Sequence, residues 1–225
     1  VRTVAADERL DDRVRIRALI LRHRLRMGSG PQRERAIELA PDLLEALRIN
    51  ESAGRDMLLE AALPELARLD AARLGGAHQE ADRIGRTVLR PYAFAFESGT
   101  PPSSSILDRL SIARILSEGG RTRAALDAWN NLAEEHPDTL EVLVGRADAL
   151  WATDEQTTLG EAMTIYRTLG RGAPGETVPA AIWWRAQLRQ LLILERVERS
   201  LDRIGPRIER LRLIDPELGG PRYRS

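Results

Sequence analysis

The chain has 225 residues, of which 30% are charged and only 4% aromatic, and its formal net charge is zero. It is long enough to bury a core unaided, and the lack of cysteine excludes a disulfide framework, a thiolate zinc site and a cysteine nucleophile. Lysine is missing as well, so all 34 Lys-or-Arg positions are Arg, which excludes a P-loop lysine, a lysine Schiff base and a lysine general base.

From Leu10 onward the apolar residues recur at helical spacing. Leu10, Val14, Ala18, Leu21 and Leu25 fall on one face and predict a first helix buried along that line, with His23 on its solvated side among Arg22 and Arg24. Gly28-Ser29-Gly30-Pro31 ends it and opens a second helix over 31–49, with Ala36, Ala40, Leu43 and Leu47 inward and Pro31 in the first turn. A third helix is expected over 54–73, closed by Gly75-Gly76, and a fourth over 77–97 that Pro91 kinks or splits. The segment 98–105, rich in Pro and Ser, reads as an extended connection between N-terminal hairpins at 1–97 and a second array at 106–217. Within that array helices are expected at 106–118, 121–135, 139–152, 161–170, 180–194 and 198–213. Ser105 with Asp108 and Asp138 with Glu141 serve as capping pairs, Gly205-Pro206 weakens the last helix, and 218–225 forms a tail. The sum is about ten helices in antiparallel hairpins and no strand, an all-α fold.

One spaced pattern occurs three times: Ala125, Trp129, Leu132, Pro137, then Ala162, Tyr166, Leu169, Pro174, then Ile204, Ile208, Leu211, Pro216. The first three members share a helical face, and the proline falls where the helix must stop. The run from Gly120 to Pro137 resembles the second helix of a tetratricopeptide repeat (TPR), with Ala125 as the small residue, Trp129 as the aromatic and Pro137 as the terminator. Ala162, Tyr166 and Pro174 match again, whereas Ile204 and Ile208 replace the small residue and the aromatic in the third copy. Copies lie further apart than the family's repeat of about 34 residues, and the resemblance covers 105–217. It implies a right-handed α-solenoid of antiparallel helix hairpins in which Trp129, Tyr166 and Ile208 pack between hairpins.

Chemistry is sparse. His23, His78 and His136 have no metal-ligand spacing, the serines at 103–105 lie in the connection, and no catalytic residue, metal or cofactor is expected. The TPR resemblance implies instead that the first helices of the hairpins present a concave binding face, with Arg114, Asp148, Trp151, Arg185 and Arg189 as its candidate residues. Arg grips carboxylates with two prongs, and a partly exposed Trp offers a flat apolar contact. The expected function is a non-enzymatic scaffold that binds a protein or peptide. The alternatives are a self-associating module of a larger protein, and binding of nucleic acid or an anionic surface through Arg13, Arg15, Arg17, Arg22, Arg24 and Arg26 of the first helix.

Neutral overall charge and the scarcity of aromatics count against nucleic-acid and membrane partners. Residues 1–30 carry eight Arg against four acids and 176–225 carry ten against seven, leaving an acidic middle whose long-range effect salt screens. No apolar run approaches the roughly 18 residues that span a bilayer. The chain begins at Val1 instead of Met and reads as a processed product or a piece of something longer, which leaves its localisation open.

Overall fold

The computed structural model describes residues 10–28, 36–37, 40–98, 105–198 and 201–218, the side chains of Glu198 and Leu201 excepted. Besides a helical pair at Ala36 and Ile37, ten helices follow in order. They are α1 (Asp12–Met27), α2 (Pro41–Ile49), α3 (Glu51–Leu74), α4 (His78–Arg83, a π-helical Ile84–Leu89 and Arg90–Glu97), α5 (Ile106–Glu118), α6 (Thr122–Glu135), α7 (Leu140–Thr153), α8 (Gln156–Leu169), α9 (Ala180–Glu198) and α10 (Leu201–Ile214). No strand occurs among the described residues. The chain forms two compact units, 1–132 and 133–225, divided within α6.

In the first unit the side-chain contacts fix how the helices run. Arg24 and Asn50 bond Ala61 and Asp12, so α1 and α3 keep a constant offset of 37 to 38 residues and are parallel. Arg73 and Arg114 pair with Glu118 and Asp70, which sets α3 and α5 parallel at an offset of 44 to 45. The intervening helices fill the gaps: α2 packs on α1 and α3, and α4 on α3 and α5. Two close approaches demand glycine. A Cβ on Gly54 would lie 2.7 Å from the Ala46 carbonyl of α2, and one on Gly119 would run into the Ala93 side chain of α4. The core gathers Ile16, Leu19, Leu43, Leu58, Leu69, Ile84, Leu89, Ile115, Trp129 and Leu132, and the Trp129 indole donates to Ser117 Oγ at 3.0 Å.

In the second unit α7 packs on α8, α8 on α9 and α9 on α10. Asp148 meets Arg185, Trp151 meets Arg189 and Asp154 meets Arg196, so α7 and α9 advance in the same direction. The carbonyl end of α8 is capped by α9: Gln190 Nε2 donates to the Tyr166 carbonyl and Gln187 Nε2 to that of Gly170, both at 2.9 Å. Arg207 of α10 donates to the Oε1 atoms of the same two glutamines, which ties α10 to this cap. Trp183 and Trp184 meet edge to face and pack with Leu211.

Several expectations need correction. The first helix exists, but of the expected line only Ala18 is buried: Ile16, Leu19, Ile20 and His23 on the other side point inward, whereas Val14, Leu21 and Leu25 are 46%, 49% and 58% exposed. His23 is therefore a core residue and not a solvated one. The expected helix over 31–49 is interrupted, because Ala40 turns into the left-handed region (φ 36°) and Pro41 starts α2 afresh. In α4 the break precedes Pro91. The proline has no N–H for the Thr87 carbonyl, and the widened π turn takes up the irregularity.

Helix α8 begins at Gln156, not 161, since Gly160 is accommodated inside it. Thr139 and not Asp138 occupies the cap position of α7, without a side-chain bond, while Ser105 does accept from the Asp108 N–H at 3.4 Å. In the third copy of the repeated pattern Ile204 and Ile208 are only half-buried, unlike Trp129 and Tyr166. The expected start at Pro31, most of the Pro/Ser connection and most of the tail lie outside the described residues.

Candidate functional site

Four of the five residues singled out in the sequence come together in the second unit. Asp148 and Trp151 are one turn apart on α7, and Arg185 and Arg189 one turn apart on α9, so parallel packing sets the two pairs face to face. Asp148 accepts from the buried Tyr166 hydroxyl at 2.7 Å and is ion-paired to Arg185, while the Arg189 Nε stands 4.0 Å away. Burial pushes the Tyr166 hydroxyl well above the usual phenol range, and the adjacent Asp148 charge adds to the shift. Tyr166 therefore stays a neutral donor that fixes the carboxylate.

The Arg189 guanidinium lies 5.0 Å from the half-buried Trp151 ring and that of Arg196 lies 5.7 Å from it. Arg196 is also ion-paired to Asp154. The arrangement is a flat aromatic surface flanked by two cations, with a fixed carboxylate one turn away. Arg196 lies beyond the end of the helix expected at 180–194, so the sequence gives no sign of it as a site residue. Its spacing from Arg185 and Arg189 puts it on the same face once α9 is extended to Glu198.

Arg114 sits in the first unit, where its Nη2 donates to both oxygens of Asp70 at 2.7 and 2.9 Å. There it braces α5 to α3, as Arg185 braces α9 to α7.

The Arg-rich first helix divides into two rows. Arg22 and Arg26 converge on Asp42, which is 1% exposed: Arg22 Nε donates at 2.8 Å and Arg26 Nη1 reaches both oxygens at 2.9 Å. Asp42 lies in the first turn of α2, where the helix dipole also favours its charge. Arg13, Arg17 and Arg24 lie on the other flank, and Arg24 donates to the Ala61 carbonyl at 3.0 Å. His78 is exposed at the start of α4, and no cluster of three metal-ligating side chains occurs among the described residues. No protein-family model matches the chain, and neither curated proteins nor solved structures give a match to it.

Proposed function

We propose that this protein is a non-enzymatic scaffold built as a TPR-like α-solenoid, and that it binds a protein or peptide segment along the face made by α7 and α9. The observation that carries this reading is Trp151, half-buried and flanked by Arg189 and Arg196, with Asp148 held in place beside it. An aromatic ring flanked by guanidinium groups gives a partner an apolar platform and a donor for a carboxylate. The parallel course of α1 with α3, α3 with α5 and α7 with α9 supports the solenoid reading within each unit, because alternate helices of stacked hairpins run the same way. The buried positions of Ala125, Trp129, Ala162 and Tyr166 support it further.

The partner's chemistry follows from the site. Arg185 and Arg196 are closely paired with Asp148 and Asp154, whereas Arg189 stands 4.0 Å from Asp148, so Arg189 is the cation best placed to receive an incoming carboxylate, next to an apolar side chain resting on Trp151. Panning a displayed random-peptide library against the intact chain tests this. Enriched peptides should pair an acidic residue with an apolar one, and their binding should be lost with Trp151→Ala and with Arg189→Ala. Enriched peptides that bind both variants as well as the parent would refute the assignment.

A further inference from the structure

The exposed side of the first unit holds a second surface, independent of Trp151. Helices α1 and α3 run parallel, and a groove of about 330 Å³ opens between them. Its apolar lining is Ile20 and Leu21 of α1 with Met57, Ala61 and Pro64 of α3, the last three spaced so that they share one helical face. Leu21 continues into an apolar stripe with Val14 and Leu25, all three among the most exposed large hydrophobic side chains of α1. Pro64 offers no N–H to the Glu60 carbonyl, and the next carbonyl, that of Ala61, is taken by Arg24.

Charge decides what fits. Arg13, Arg17 and Arg24 line the α1 side of the stripe, whereas Glu60 is the one acid lining the groove. The other three cations of α1 are turned away: Arg22 and Arg26 hold Asp42, and Arg15 stands near Asp12. A concave apolar floor between two parallel helices accepts a third helix by its apolar stripe, and the cationic rim calls for carboxylates beside that stripe. A two-fold contact with another copy would set the same Arg row against itself, and a bilayer surface does not enter a concave groove.

We propose that the α1–α3 groove docks an acidic amphipathic helix of a partner protein. The probe is a fluorescein-labelled synthetic helix of roughly 18 residues, long enough to be helical when bound, with a leucine stripe flanked by Glu, and a twin flanked by Lys. Anisotropy with the full chain should show the Glu helix binding and weakening as salt rises from about 50 to about 300 mM. Leu21→Gln and Arg17→Glu, both at exposed positions, should each weaken it about tenfold or more, the loss of one buried leucine or one charge contact. Trp151→Ala should leave it unchanged, which separates this surface from the α7–α9 face. Hydrogen exchange on the parent chain should show residues 57–64 protected by the Glu helix. Equal binding of the Lys helix, or folded variants that bind like the parent, would overturn the proposal. So would phosphatidylserine vesicles that compete through the same residues, or a dimer in sedimentation that Leu21→Gln abolishes.

Discussion

Acidification should weaken the first unit through His23, and the size of the effect follows from its surroundings. The imidazole is 1% exposed, meets the Tyr92 ring edge to face at 5.9 Å, and has no hydrogen-bond partner at either nitrogen among the described residues. Burial lowers its pKa from 6.5 to about 4. Asp42 opposes that shift, and Arg26 and Arg24 reinforce it. Because the folded-state value lies below the unfolded one, the unfolded chain takes up the proton first as pH falls. The stabilisation is fully present above about pH 6.5 and is lost progressively down to about pH 4. A shift of this size corresponds to about 3 kcal/mol.

The comparison is with His23→Phe, which keeps a planar ring in the slot and removes both unpartnered nitrogens. At pH 7 the variant should be as stable as the parent or more so, because no orphaned polar atom remains. Urea titrations followed by circular dichroism should then show the parent losing about 2–3 kcal/mol relative to the variant between pH 7 and pH 4.5. Carboxylates elsewhere titrate in both proteins and cancel in the difference. A difference that stays flat across this range would refute the argument that a neutral His23 is built into the core.

Trp129→Ala should cost about 3–5 kcal/mol by opening a cavity in the first unit, and an unmoved melting temperature would show that the indole is not packed as described. Gly119→Val should destabilise by about 1–3 kcal/mol or more, since even a Cβ meets Ala93 and Arg90, whereas Gly120→Asn in the open left-handed turn beside it should be tolerated in the same thermal assay. Gln190→Leu should cost about 0.5–1.5 kcal/mol by removing one of the two donors to the Tyr166 carbonyl, which keeps the Gly170 N–H at 2.9 Å, and hydrogen exchange should locate the loosening at the end of α8. Asp148→Asn should change stability little, because Arg185 is about half exposed and the Asn carbonyl can still accept from the Tyr166 hydroxyl, and a double-mutant cycle with Arg185→Ala should give a coupling under about 1 kcal/mol.

The helices themselves could be read in the sequence because they depend on local chemistry. Gly75-Gly76 and Gly119-Gly120 stop their helices by local geometry, and the spacing of Ala125, Trp129 and Leu132 gives one buried face. The candidate site was partly readable for the same reason. Asp148 with Trp151 and Arg185 with Arg189 are helical neighbours in their own segments, but their meeting needed α7 and α9 to lie parallel. Arg196 escaped because the end of α9 has no strong local stop.

Which face of a helix turns inward is a different kind of question. On α1 two apolar lines compete, one through Val14, Leu21 and Leu25 and one through Ile16, Leu19 and Ile20, and periodicity alone ranks them alike. The choice falls to long-range pairing. Asp42 can neutralise Arg22 and Arg26 only if the second line faces inward, and this carries His23 into the core. Composition and spacing therefore settle that the chain is helical and, where a Gly pair closes a helix, where it stops. Burial, charge pairing and the exposed groove arise only when segments tens of residues apart share one environment, because the free energy that selects a face belongs to the contact and not to the segment.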